Sequence, residues 1–150
     1  MRSTRPRSTE KGTCMSIINA LTVAGAGMSA QNQRLATVVS NLANADSVTS
    51  STGTPYKARE MVFAAVPLRS VAGAVPLESV RVAGVVQSKA PARLLYEPGN
   101  PLADKAGYVK ASNVNPIESM VDMLSASRAY QDDVTAANVL KTVAIKTLAL

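Results

Sequence analysis

Several groups of residues in this 150-residue chain have types and spacings suited to chemistry. Gly25-Ala26-Gly27-Met28-Ser29-Ala30 fits the pattern G-x-G-x-x-A, and Asp46 stands 19 residues beyond Gly27. In a dinucleotide-binding unit such glycines bring a helix N-terminus against the pyrophosphate, and the acidic residue holds the ribose. That chemistry needs a buried strand ahead of the glycines and a strand–helix–strand unit around them. Here a seven-residue apolar repeat runs straight through the glycines, and no alternating strand–helix series follows. The other reading is that these small residues let helices approach closely. Glu118 and Asp122, four apart, share one helix face, and Asp132 and Asp133 are adjacent. Paired carboxylates can exchange protons or hold a metal. Neither pair has a histidine partner, and the first is explained by the favourable field at a helix start. Asp104 with Gly107 resembles a fragment of a calcium loop without its acidic ligand series, and reads as a turn. Cys14 reads as an inert thiol and Tyr130 as a packing residue.

The missing residues exclude more. The chain has no His and one Cys. It therefore lacks an imidazole base, a Ser-His-Asp triad, a His-bearing zinc site, an internal disulfide and a Cys-rich metal cage. No catalytic residue, metal or cofactor is expected. Apolar residues make up 47%, but aromatics only 3%. A core built from Ala and Val buries little area per side chain, at ~25 cal/mol per Å². Such a chain is expected to be marginal as a monomer and completed by partners.

The net charge is +6, and half of it lies in residues 1–14, where Arg2, Arg5, Arg7 and Lys11 face only Glu10. The high pI is thus partly a tail property and weak support for nucleic-acid binding. The leader lacks apolar periodicity and is expected to be disordered, with the working protein starting at Met15. A basic start followed by Ile17–Met28 also mimics a secretory signal, with a cleavage site around Met28-Ser29-Ala30. Asn19, Thr22, Gly25 and Gly27 dilute that stretch, and its periodicity continues past the cut, so retention is the expectation. No apolar run approaches the ~20 residues that span a bilayer.

The elements that must position all this read as helix, β insert, helix. Leu21, Met28, Leu35 and Leu42 repeat every seven residues, as do Ile17, Ala24, Gln31, Val38 and Ala45. Together they form a coiled-coil stripe over Ser16–Ala45, with Ser16 as N-cap. Residues 47–55 read as a loop. Tyr56–Leu68 and Val80–Gln87 read as short strands, Glu97–Pro101 as a turn, and Tyr108–Lys110 as a last strand. Asn115 and Pro116 cap and open a second long helix. Its stripe runs Met120, Met123, Ser127, Tyr130, Val134, Ala137, Leu140 (or Lys141), Ala144 and Leu148. The expected fold class is α+β. Long N- and C-terminal helices (15–46 plus 115–150) pair as an antiparallel coiled coil, and residues 47–114 form a small β-rich middle.

Met15–Asp46 resembles the N-terminal segment of the bacterial flagellar basal-body rod proteins, above all in Ser29-Ala-Gln-Asn-Gln-Arg-Leu35 and Ser40-Asn-Leu-Ala-Asn-Ala45. Thr52–Arg59 resembles the segment leading into that family's middle region. The C-terminal match is sharper: Gly107-Tyr-Val-Lys110, Asn113-Val-Asn-Pro116, Glu118-Ser-Met-Val-Asp-Met-Leu-Ser-Ala-Ser-Arg-Ala-Tyr-Gln131, then Asn138 and Lys146-Thr-Leu148. The combination is similar to the short proximal-rod members rather than to the longer distal-rod or hook proteins. Residues 1–14 fall outside the pattern, and a few residues more would be expected after the final Thr-Leu.

The resemblance implies a non-enzymatic structural subunit that polymerises into the proximal rod and transmits torque from motor to hook and filament. It implies copies of itself, other rod proteins, the basal-body ring adaptor and the flagellar type III export apparatus as partners. It places the protein in the periplasmic rod, exported without a cleaved signal, not integral to membrane and not on nucleic acid. The seam residues are expected to be Leu21, Met28, Leu35, Val38 and Leu42 with Met120, Leu124, Tyr130, Val134 and Leu148. The resemblance adds Gln31, Arg34, Asn41, Asn44, Arg128 and Gln131 as polar interface residues, against the plainer reading of helix capping or a solvated face. A soluble α+β module binding a nucleotide or nucleic acid is the alternative.

Overall fold

The computed structural model describes residues 8–50, 53–68 and 77–149, without the side chains of 8–16 and 148. Residues 1–7, Thr52, the Cys14 side chain and the Leu148 side chain therefore lie outside the described residues. The element order is α1 (Ser8–Ala43), β1 (Val48–Thr49), β2 (Arg59–Pro67), β3 (Glu78–Gln87), β4 (Arg93–Tyr96), β5 (Tyr108–Ala111) and α2 (Pro116–Leu148). This is an α+β architecture: two long helices with two small antiparallel sheets between them in sequence.

α1 has 36 residues and α2 has 33, each about 50 Å long at ~1.5 Å per residue. α1 begins earlier than its apolar stripe implies. Residues 8–14, expected to be disordered, are its first turns, and Ser16 is internal rather than the cap. Once a helix exists, each added residue gains a hydrogen bond for fixing one backbone unit, so propagation outruns the apolar pattern. At the other end Ala43 is the last helical residue. Asn44, Ala45 and Ser47 close a turn through bonds to the carbonyls of Asn41, Leu42 and Asn44. α2 starts as its sequence dictates: the Asn115 side chain accepts from Ile117 N–H at 3.1 Å, Pro116 takes the first helical position, and Glu118 sits in the first turn.

The two helices pack along each other in opposite directions. Arg34 reaches Asp122 at one level, and Gly27 faces Asp133 further along, so numbers fall on α1 as they rise on α2. The buried residues are small: Ala24, Ala30 and Val38 on α1, Ala45 just beyond its end, and Ser119 and Ala126 on α2. Of the two seven-residue lines, one has Ala24, Val38 and Ala45 buried and Ile17 and Gln31 half-buried, while Leu21, Met28, Leu35 and Leu42 are half-buried on its flank. On α2, Val134 is half-buried. Met120 and Leu124 are not in the seam: they are 52% and 53% exposed, and Tyr130 is 38% exposed at its edge. The reason is geometric. Ala126 and Ser119 allow a close helix approach that larger side chains would prevent, so the bulky residues turn outward.

The three-stranded sheet has the order β1-β5-β4, all antiparallel. β1 and β4 are additions to the sequence reading. Val48–Thr49 fell in a stretch of loop composition, and Arg93–Tyr96 is four residues between Pro91 and Pro98. Both are too short to show a period and are fixed only by pairing with β5. β5 carries the small core, with Val109 and Ala111 buried and Ser112 buried just after it. β2 and β3 form a separate hairpin with one register shift at Val62/Phe63, and it leans on α1. The turn at Glu97–Pro101 closes as expected by Asn100 N–H donating to the Glu97 carbonyl at 3.0 Å.

Candidate functional site

The polar residues at the end of α1 are bound within the chain. Asn41 is 7% exposed and holds the entry to β2. Its amide donates to the Arg59 carbonyl at 2.7 Å, and its Oδ1 accepts from Arg59 N–H at 2.9 Å and from the Tyr56 hydroxyl at 3.0 Å. Asn113 does the same from the other side. Its Oδ1 accepts from Ala58 N–H at 2.7 Å, and its amide donates to the Ala90 carbonyl at 2.9 Å. Two asparagines thus pin the segment 56–59 between α1 and the approach to α2. Asparagine suits this work because one short side chain satisfies both a backbone donor and a backbone acceptor. The Arg59 guanidinium lies 5.6 Å from the Tyr56 ring centre.

The other expected polar residues divide. Arg34 Nη2 meets Asp122 Oδ1 at 3.0 Å, which spends one carboxylate of the Glu118/Asp122 pair on a helix–helix bond. Asn44 donates to the Ser40 carbonyl at 2.7 Å and closes the helix end. Gln31 points into the contact, and its Oε1 is buried without a hydrogen-bond partner among the described residues. Arg128 and Gln131 are exposed on α2. The structure therefore joins Arg34 and Asn41 to intramolecular bonds and leaves Arg128 and Gln131 facing outward. Sequence reasoning missed Tyr56, Asn113 and Asp133 as positioning residues. Asn113 stood inside a quoted motif, but nothing local announces that its two partners lie at 58 and 90.

The chemistry-bearing patterns resolve into structure. The Gly25–Ala30 pattern lies in the middle of α1, with helix rather than a strand ahead of it. Gly27 gives the Asp133 side chain room: an added Cβ would sit 2.7 Å from Asp133 Oδ2. Asp104 is a turn residue, as expected, its Oδ1 accepting from Ala106 and Tyr108 N–H at 2.9 Å each. Gly107 closes that turn at φ +81°, against the Tyr96 ring. Among the described residues no three potential ligands gather to hold a metal, and no helix is long and apolar enough to cross a membrane.

The site is best described as surface. A cleft of about 660 Å³ opens between α1, β2 and the start of α2, with Arg34, Arg59, Glu60, Glu118 and Asp122 among its walls. Along α2, Ile117, Met120, Val121, Leu124, Val139 and Ile145 are exposed large apolar residues. The bulky side chains thus face outward while Ala24, Ala30, Ser119 and Ala126 are buried.

Comparison with known proteins fits this arrangement. The family described as "Flagella basal body rod protein" matches residues 21–49, which span the end of α1 and β1. The family described as "Flagellar basal body rod FlgEFG protein C-terminal" matches residues 105–143, which span β5 and most of α2. The flagellar basal-body rod protein FlgC of Escherichia coli is 48% identical over 136 residues, 91% of this chain and 98% of that protein. Its counterpart in Salmonella typhimurium is 46% identical over 138 residues, and that of Borreliella burgdorferi 34% over 153, with the same coverage. The helices that pack together here are the segments those family matches fall on, and with identity this high across nearly the whole of both sequences the chain belongs to the FlgC family of flagellar basal-body rod proteins.

Proposed function

We propose that this chain is a structural subunit of the bacterial flagellar basal body, one that polymerises into the proximal rod and transmits torque from the motor to hook and filament. The observation that carries this reading is the pairing of two features. The chain matches FlgC proteins almost end to end, and its long α2 exposes the bulky apolar side chains that a self-sufficient domain would bury. In the polymer the terminal helices act as an antiparallel coiled coil with the β-rich middle set between them. Its partners are copies of itself, other rod proteins, the ring adaptor and the type III export apparatus. The seam on α1, with Val38 buried and Leu35 beside it, holds the subunit's own helices, and the outward residues Met120 and Leu124 meet neighbours. The periplasmic rod is its location, reached without cleavage of a signal. No catalysis is assigned to it.

The nucleotide-binding alternative loses its support because its fingerprint lies inside a continuous helix. Deleting the gene and imaging basal bodies tests the proposal: rods are expected to be absent, and intact rods would refute it. Leu35→Asp, placing a carboxylate on the α1 seam, is expected to abolish swimming while the protein is still made. Normal swimming would refute the role given to that seam.

A further inference from the structure

A second cavity, of about 510 Å³, lies beside the three-stranded sheet, and its lining includes Lys57, Lys89, Lys110, Pro91 and Leu94. No Asp or Glu lines it, and no residue of α2 does. Lys57 and Lys89 are exposed, and Leu94 beside them is 65% exposed. This is a basic hollow with an apolar rim.

α2 carries the opposite surface. Glu118, Val121, Asp132, Ala136, Val139 and Val143 fall within roughly 60° of one side of the helix. All six are exposed, Val121 at 63% and Val139 at 57%, with Ser125 among them and Arg128 and Lys146 at the margin of the strip. Neither carboxylate has an ion-pair partner among the described residues. The strip is apolar and anionic, and it lies to the side of the face that meets α1.

We infer that these two surfaces take each other between copies: the Lys57/Lys89 hollow of one subunit receives the Asp132–Val139 side of α2 from the next. The inference rests on the rod reading and deepens it by naming a contact. Three observations support a second copy as the occupant. The signs of charge are complementary, each surface offers exposed apolar residues to the other, and the two patches occupy different elements of one chain. A contact between two different patches of the same chain is heterologous, so it does not close on itself and repeats along an open helical array. The ion pairs lie near water and chiefly select register and partner, while Leu94 against Val139 and Ala136 supplies the dry contact.

Zero-length carbodiimide coupling of isolated basal bodies reads the contact directly, because it joins only amines and carboxylates that touch. Asp132 is the informative carboxylate. It lies about 21 Å along α2 from Glu118, and so from the subunit's own cleft. Peptides joining Lys57 or Lys89 to Asp132 are expected. In cells, Lys89→Glu and Asp132→Lys are each expected to cut incorporation into rods by about tenfold through like-charge contact. The double reversal Lys89→Glu/Asp132→Lys is expected to recover most of it, and this recovery shows that the single variants fold. Rods that form normally with either single reversal, and yield no such cross-link, overturn the contact and leave the rod role standing. Single defects without recovery in the double variant also overturn it, and assign the lysine hollow to a different partner. A strain lacking the gene that still builds rods removes both readings at once.

Discussion

Gly27 of α1 faces the Asp133 side chain of α2, with so little space that an added Cβ on Gly27 would lie 2.7 Å from Asp133 Oδ2 and 3.1 Å from its Cγ. The two helices come this close because glycine presents no side chain there.

Two opposing effects decide what Gly27→Ala does. Alanine favours helix over glycine by about 1 kcal/mol, but overpacking a tight contact costs about 1–3 kcal/mol. The clashing atoms are the tip of the half-buried Asp133 side chain, which can swing aside, so with Asp133 in place the two effects are expected to nearly cancel in urea unfolding. In an Asp133→Ala background the same substitution is expected to become stabilising. If Gly27→Ala is equally stabilising with and without the carboxylate, the close approach is not what constrains position 27.

Asn41→Ala removes two accepted bonds and one donated bond at a buried position, and strands the N–H and C=O of Arg59. Leaving such groups unpaired costs about 1–3 kcal/mol each when they are fully buried. A loss of about 2–4 kcal/mol is expected, with increased amide exchange around residues 56–60. Tyr56→Phe removes one of the three bonds and is expected to cost about 1 kcal/mol. Equal losses from the two variants would mean that Asn41 does not organise the segment.

The ends of this fold are legible in the sequence, and the middle only partly so. Asn115, Pro116 and Glu118 announce the start of α2 because capping and dipole effects are local, needing only the next three residues. The repeat through Leu21, Met28, Leu35 and Leu42 announces α1 for the same reason. Which side of each helix becomes the seam is less legible, because size misleads. A stripe drawn through Met120, Leu124 and Tyr130 follows hydrophobicity, whereas the helices choose Ser119 and Ala126, where they can approach. In the candidate site, Asn41 stood out by resemblance, but its partners at 56 and 59 lie across a loop. Asn113 links positions 58 and 90 in the same long-range way. No periodicity reports bonds of that kind.

Gly107 adopts φ +81°, a backbone region that side chains disfavour, and faces the Tyr96 ring, where a Cβ would sit 2.8 Å from Cε2. Gly107→Ala therefore meets two costs, the left-handed backbone and the ring, together about 1–3 kcal/mol. The Tyr96–Tyr108 ring contact, 5.2 Å between centres, is expected to loosen, because Gly107 precedes Tyr108 directly. Relieving the ring alone with Tyr96→Ala should restore only part of the loss, since the backbone cost remains. Full restoration would show that the conformation itself costs nothing. Hydrogen exchange at Val109 and Ala111, measured against the helices, separates a local opening of β4–β5 from a global one.

The Arg34–Asp122 pair ties the cleft's two helical walls together at 3.0 Å, but its side chains are 30% and 48% exposed. Water and salt reach it, so its contribution is expected to be at most about 1 kcal/mol. Asp122→Asn should therefore cost little in stability at low salt and nothing measurable near 1 M, where the screening length is about 3 Å. Its larger effect is expected on geometry. Without the ion pair the start of α2 is free to shift against α1, and cross-linking between cysteines introduced at Thr37 and Ser119, with Cys14 replaced, should become less uniform. A loss of several kcal/mol that salt does not reduce would instead mean that Asp122 is a buried structural charge, and that the cleft is drier than its open walls imply.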